Sequence, residues 1–203
     1  MDTQGKLNFI EQFHGVVAGA DEAGRGPLAG PVVGAAAVLT ERQKEALVKL
    51  GLRDSKKISP DKREALFRTI CEMGIMWRAR AASVEEIARL NINAASLRAM
   101  GESVRSLPFA VGLVVVDGLY ELPGLTVPQV PLTGADDLVP SVSAASVVAK
   151  VLRDRVMIAL DRFYPQYGFA RHKGYPTEAH RNAVRTFGIS PVHRALFCRK
   201  LTA

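Results

Sequence analysis

Asp21 and Glu22 stand side by side in the run Asp21-Glu22-Ala23-Gly24-Arg25-Gly26-Pro27. Two adjacent carboxylates suit a hard, oxygen-preferring cation. The Gly-Arg-Gly that follows suits close approach of peptide groups to a ligand, because glycine has no side chain to hold a ligand off. Inside a regular strand the two carboxylates would face opposite sides. Serving one site therefore requires the strand to end there and the chain to bend; an acidic surface turn would look the same in isolation. Asp117 closes the apolar run Val111–Val116 and is followed by Gly118, while Asp136 and Asp137 precede the longest helical pattern. Each has an ordinary explanation, an Asp-Gly turn or helix N-terminal electrostatics. Together they place oxygen ligands at the ends of core elements with no Cys/His cluster, which favours Mg²⁺ or Mn²⁺ over Zn²⁺. Two such ions ~4 Å apart would activate a water and stabilise a leaving oxygen in phosphodiester hydrolysis.

The elements that must position these residues read as α/β. Val16–Ala20 and Pro31–Leu39 form an expected antiparallel strand pair. Glu41–Leu50 follows Thr40 as N-cap, and Asp61–Glu72 follows the capping pair Ser59-Pro60. Ile75–Ser83 is an expected strand, and Ser83 with Glu86 forms a capping box for a short helix from Val84. Asn93–Ser106 is expected to be helical. Val111–Val116 is a strand buried on both faces, and the proline-marked Thr126–Pro131 an edge strand. Ser141–Asp161 carries an apolar stripe through Val142, Ala145, Ala149, Leu152, Val156 and Leu160, with Lys150, Arg153 and Arg155 largely off it. Pro176–Phe187 is a further helix.

Composition narrows the function classes. The chain has 203 residues, of which 48% are hydrophobic and 23% charged, so one domain over 1–203 with an adequate core is expected. The two cysteines, Cys71 and Cys198, form no C-x-x-C, which favours a reducing, cytoplasmic setting. The N-terminal segment has neither the form of a secretory signal nor that of a membrane span, and no heptad pattern argues against a monomer. The net charge is +7. Residues 150–203 hold eleven Lys/Arg and three Asp/Glu, a net of +8, together with three of the four histidines. A basic end beside an acidic site suits a polyanion held across bound metals; a solvated basic surface is the plainer reading.

Seven stretches, in order and spanning most of the chain, carry a resemblance to the type 2 ribonucleases H (ribonuclease HII). They are GADEAGRGPLAGPVVGAAAVL (19–39), DSKKISP (54–60), LNINAASLRAM (90–100), VVVDG (114–118), SVSAASVVAKVLRDR (141–155), YGFARHKGYPTEAH (167–180) and PVHRALF (191–197). The resemblance implies an RNase H-like fold, a mixed central β-sheet flanked by α-helices, with a basic helical C-terminal part near 150–203 contacting substrate. It implies a four-carboxylate, two-metal site of Asp21, Glu22, Asp117 and a fourth ligand before the SAAS helix. The family's lysine there is absent from Gly134-Ala135-Asp136-Asp137, and counting back from Ser143 points to Asp136, with Asp137 as the alternative. It further implies that Gly24, Arg25 and Gly26 sense a ribose 2′-OH, which distinguishes RNA from DNA. Tyr175 would pack on the neighbouring sugar; a half-buried core tyrosine is its bland reading. Lys56 and Lys57 resemble phosphate contacts, and Lys150, His172, Lys173 and Arg194 a basic track; Arg153 and Asp154 could form a structural ion pair with helix neighbours. The implied activity is cleavage of the RNA strand of RNA/DNA hybrids, and cleavage 5′ of ribonucleotides in duplex DNA, leaving 3′-hydroxyl and 5′-phosphate ends. That activity would serve ribonucleotide excision repair and primer removal. A catalytically silent nucleic-acid-binding module of the same fold is the alternative, against which the intact carboxylates argue. A small-molecule phosphatase would leave the basic C-terminal quarter without a role.

Overall fold

The computed structural model describes residues 1–52 and 58–202; Lys56 and Lys57 lie outside the described residues. In chain order the elements are α1 (Thr3–Gln12), β1 (Val17–Ala23), β2 (Val32–Val38), α2 (Glu41–Lys49), α3 (Pro60–Glu72), β3 (Met76–Ala82), α4 (Val84–Leu90), α5 (Ile92–Arg105), β4 (Leu113–Asp117), β5 (Gln129–Leu132), α6 (Ala135–Leu138), α7 (Pro140–Asp161), α8 (Phe169–His172), α9 (Glu178–Phe187) and α10 (Ala195–Thr202). The expected caps fix several boundaries. Thr40 and Gln43 close a capping box on α2, Ser59 caps α3 ahead of Pro60, and Ser83 and Glu86 close a second box on α4. No helix among the described residues is long and apolar enough to cross a membrane.

The strands form one mixed sheet in the order β3-β2-β1-β4-β5. β1 pairs antiparallel with β2 and parallel with β4, and β5, the proline-bearing edge strand, runs parallel to β4. The two ladders of β1 have different lengths. The β4 side stops at Ala20↔Val116, whereas the β2 side continues through Asp21, Glu22 and Ala23. The strand therefore does not end before the carboxylates, as expected, but loses its β4 partner there. The mouth between two parallel strands is where α/β sheets collect ligands.

Helices cover both faces. α7 lies on the face that carries Gly19, where a Cβ would sit 2.2 Å from the amide nitrogen of Val142. α5 lies on the opposite face, where a Cβ on Gly34 would sit 2.4 Å from the amide nitrogen of Met100. These close approaches leave no room for a methyl group, so glycine is required at both. The α7 face is packed by Ala23, Ala35 and Ala37 against Ala144, Ala145 and Val148; the α5 face by Ala18, Ala20 and Ala36 against Met100 and Val104.

The helical stripe expected on α7 is too narrow. Val142 through Ala149 are buried all round, Val156 is exposed and Arg153 is fully buried. The helices α1, α6, α8 and α10 are additional to those expected. Gly34→Ala should lower stability by at least ~2 kcal/mol, because backbone rather than a mobile side chain meets the new methyl. Urea unfolding of that variant beside the wild type is the check.

Candidate active site

Alternation along β1 sends Asp21 to the α7 face and Glu22 to the α5 face. Asp117, at the end of β4, faces the same side as Asp21, and its Oδ1 accepts a hydrogen bond from the Ala135 amide at 2.9 Å. That bond ties the mouth of the sheet to α6. Asp136 on α6 is buried, and its carbonyl accepts from Ser143 Oγ at 2.6 Å. Asp21, Asp117 and Asp136 thereby converge, with one carboxylate oxygen from each lying within 4.8 Å of the others. Asp137 is exposed and stands outside this triad. The geometry thus brings Asp136 inward rather than its neighbour.

Asp21 is the central member, with 1% of its surface exposed. Its Oδ1 accepts from the Glu22 amide at 2.6 Å, while its Oδ2 is buried without a hydrogen-bond partner. An ionised, half-satisfied carboxylate is costly in such a place. Burial first, then the charges of Glu22 and Asp117, hold its carboxyl well above the usual carboxylate range, against hydrogen bonds from Ser146 and the Glu22 amide. A divalent cation would supply what Oδ2 lacks, and three aspartate oxygens are the donor set that Mg²⁺ or Mn²⁺ takes. The residues present fit such an ion. Glu22 is not one of the triad, but its charge bears on Asp21 more strongly than that of Asp117. It also lies 3.5 Å from Arg25 Nη1. Glu22 thus stands on the opposite face of β1 from the triad, within electrostatic reach of Asp21.

Beyond β1 the chain turns. Gly24 has φ of 103°, and a Cβ there would meet Arg153 Nε at 2.0 Å, so glycine is required twice over. Nothing lies within 4 Å of a Cβ added to Gly26. Glu22, Ala23, Gly24, Arg25, Gly26, Lys150 and Tyr175 line one cavity of about 200 Å³. Tyr175 is 38% exposed there, with its ring lining the cavity rather than the core clusters. Asn93 on α5, which sequence reading missed, accepts a hydrogen bond from Arg25 Nη2 through Oδ1 and so holds the arginine's outer end. It lies in the stretch 90–100 that carries the resemblance, but nothing there marks it as the partner of Arg25.

The expected basic track is only partly at the surface. Arg194 is 2% exposed. Its guanidinium donates to the carbonyls of Gly24, Arg25, Pro27, Gly30 and Pro31 at 2.7–3.0 Å. Burial first, then the charge of Arg153, pulls its pKa down to about 9. Arg153 donates to the carbonyls of Pro31, Lys173 and Ala29 at 3.0–3.1 Å, rather than pairing with Asp154. Both arginines lie beneath the turn and hold its backbone. Asp154 instead receives Lys150 at 2.7 Å and approaches Arg63 at 3.8 Å. Lys150 Nζ also stands 5.5 Å above the Tyr175 ring. His172 commits both ring nitrogens to backbone, to Tyr167 O and to the Gly174 amide. Lys173 Nζ donates to Ala170 O.

The mixed five-stranded sheet, flanked by helices and carrying three converging aspartates at its rim, has the architecture of the ribonuclease H-like class. The profile of the family described as Ribonuclease HII matches residues 18–200. The chain is 50% identical over 188 residues to a ribonuclease HII of Pelotomaculum thermopropionicum, covering 93% of this chain and 70% of that one. A ribonuclease HII of a Shewanella species is 48% identical over 187 residues, covering 90% and 88%. The crystal structure of the ribonuclease H2 from Pyrococcus horikoshii OT3 is similar with a TM-score of 0.77 at 28% identity, covering 92% of this chain and 96% of that one. The chain belongs to the ribonuclease HII family.

Two outcomes follow from the electrostatics. The raised Asp21 pKa means that the metal-free folded state keeps a proton that the unfolded chain releases above its ordinary carboxylate pKa. Stability is therefore lost as pH rises through the folded value. Metal-free Asp21→Asn should be more stable than wild type at neutral pH by ~1–3 kcal/mol, a gap that closes below about pH 4. Added Mn²⁺ should raise the wild-type Tm and leave that of the variant unchanged; thermal melts across pH give both. Arg194→Lys cannot reach five carbonyls. It should cut cleavage at least tenfold while leaving the slope of log affinity against log salt unchanged, whereas loss of a phosphate contact would reduce that slope by about 1.

Proposed function

We propose that this protein is an endonuclease acting on RNA within duplexes. It hydrolyses the RNA strand of RNA/DNA hybrids and cuts 5′ of ribonucleotides embedded in duplex DNA, leaving 3′-hydroxyl and 5′-phosphate ends. The observation that carries the reading is the unpartnered Oδ2 of Asp21, inside an aspartate triad that adjoins the Gly24–Gly26 and Tyr175 cavity. A small-molecule phosphatase would account for the triad but leaves the basic C-terminal quarter without a role.

Asp21, Asp117 and Asp136, with Glu22 from the opposite face, are the residues that would hold two Mg²⁺ or Mn²⁺ ions. When bound, such ions lower the pKa of a water and neutralise charge on a leaving oxygen. The chain's own residues do the rest. Asp21, seated on the buried β1–β2 ladder, fixes where the scissile phosphate must lie. Peptide groups of the Gly24-Arg25-Gly26 turn are offered to a 2′-hydroxyl, which both donates and accepts. Arg25, held by Glu22 and Asn93, stands over that turn. Tyr175 closes the far side of the cavity, where its ring can pack on the adjacent sugar and disfavour a second ribose. Lys150 adds positive charge beside it, and Lys173 is placed on the same side of the molecule. The chain acts as one catalytic unit in the cytoplasm, in ribonucleotide excision and primer removal.

The test is a duplex DNA with one ribonucleotide, incubated with Mg²⁺ or Mn²⁺. A cut 5′ of the ribonucleotide is expected, and an all-DNA duplex should stay whole; an uncut ribonucleotide strand refutes the proposal. Gly26→Ala sharpens it. The space its methyl would fill is contested by no protein atom, so the variant should keep the wild-type Tm. It should nevertheless lose at least tenfold in cleavage through misplacement of the sugar.

A further inference from the structure

Three of the four histidines meet in the basic C-terminal part, away from the aspartates. His180 and His193 are buried, with their Nε2 atoms 3.1 Å apart, and the rings of His172 and His180 stack with centroids 4.4 Å apart. Phe169 and Tyr167 enclose them, Phe169 edge-on to His180 at 5.5 Å and Tyr167 edge-on to His193 at 4.6 Å. Burial lowers the pKa of all three, that of His193 to about 4 with His180 as the second cause. Burial thus favours the neutral form of each ring.

A chain of neutral imidazoles has a direction, because each ring then carries one donor and one acceptor. Here both ends set it. The Ser190 amide donates to His193 Nδ1 at 3.0 Å, so that nitrogen accepts and the proton of His193 is on Nε2. Nε2–H of His193 donates to Nε2 of His180. The proton of His180 is then on Nδ1, 3.0 Å from the carbonyl of Tyr175, which can only accept. Reading back from Tyr175 gives the same assignment, so no other neutral arrangement satisfies both ends.

Every backbone handle near Tyr175 is held in the same way. Its amide donates to the His172 carbonyl at 2.9 Å, and its own carbonyl also receives the Thr177 amide at 2.8 Å. The Gly174 carbonyl receives the Leu28 amide at 2.8 Å, which joins this segment to the loop after Gly26. Lys173, with φ of 53°, and Gly174, with φ of 80°, show that the backbone here does not settle into a regular element by itself. Turn-type backbone bonds and the His180 side chain together hold what regular structure would.

We propose that His180 is a positioning residue for substrate selection, its Nδ1–H fixing the Tyr175 main chain and hence the ring, with His193 dictating its tautomer. This rests on the reading of Tyr175 as the residue that packs on the sugar beside the ribonucleotide. His180 touches no substrate, and its effect reaches the reaction only through which sugar Tyr175 accepts.

The readout is the ratio of kcat/KM on duplex DNA with one ribonucleotide to kcat/KM on a fully hybrid duplex. His180→Asn keeps a donor at the Nδ1 position, whereas His180→Leu removes it; both leave His193 without its partner. His180→Leu should shift the ratio about tenfold, to the value of Tyr175→Ala, and His180→Asn should stay within about twofold of wild type. A folded His180→Leu with the wild-type ratio, beside a Tyr175→Ala that shifts it, overturns the relay and leaves the reading of Tyr175 intact. An unshifted Tyr175→Ala overturns that reading and the relay with it. Should His180→Leu not fold, His193→Asn serves: it still accepts from Ser190 but falls short of His180. A shift of about threefold is expected, and a folded His193→Asn with the wild-type ratio overturns the role of His193 and, with it, the relay.

Discussion

Two positive charges beneath one loop carry much of this structure. Arg153 and Arg194 are buried, and among the described contacts their guanidiniums bind backbone carbonyls rather than carboxylates. A buried guanidinium is tolerable only when its fixed fork of donors is filled. The carbonyls of Gly24, Arg25, Pro27, Ala29, Gly30 and Pro31 fill it, and so these residues cannot follow a regular strand or helix. The loop between β1 and β2 is folded around two cations. Its irregular path, including the φ of 103° at Gly24, is the geometry that satisfies them. Replacing a carboxylate by carbonyls has a functional consequence. Among the described hydrogen bonds no carboxylate pairs with either guanidinium, so the loop carries no paired anion that would repel a phosphate.

The arginines depend in turn on how closely the helices approach the sheet. Arg153 projects from α7, and α7 can approach β1 only because residue 19 lacks a Cβ. The same approach brings Ser146 against Asp21 and Ser143 against the carbonyl of Asp136. One helix, set down on one glycine, therefore places two carboxylates of the triad at one end and the loop-holding arginine two turns further on. A small shift of that helix would misplace both together. This couples the position of the aspartate triad to the path of the Gly24–Gly26 turn through the seating of α7.

What sequence revealed and what it hid divides along a physical line. Local rules were legible: the side-chain caps at Thr40, Ser59 and Ser83 act within one turn of chain and appear where their residue types put them. The three aspartates were legible because each closes or opens an apolar run. The short helix α6 was hidden, since its four residues are stabilised by the distant Asp117 and not by their own pattern. The fate of the basic residues was hidden for the same reason. Arg153 and Arg155 look alike on a helical wheel, yet one is fully buried on carbonyls and the other pairs with Glu64 at the surface. Charge counting gave residues 150–203 a surplus of +8. It could not show that two of those charges serve the interior.

The continuation of β1 past Asp21 bears on why adjacent carboxylates work here at all. A strand that simply ended would leave Asp21 and Glu22 on a free loop, with their separation set by chance. Instead β2 keeps the strand regular through Ala23, while β4 departs at Ala20. One carboxylate is thereby pressed into the α7 face with an unpartnered oxygen, and the other is held on the α5 face beside Arg25. The strand's own alternation, at first an objection to a shared site, separates the two roles. The buried residue is destabilising until a cation arrives, which gives the folded protein affinity for one. The half-buried residue pairs with Arg25 on the other face. A one-sided strand edge thus places one carboxylate in the aspartate triad and holds the next on the opposite face beside Arg25, which a loop could not keep apart.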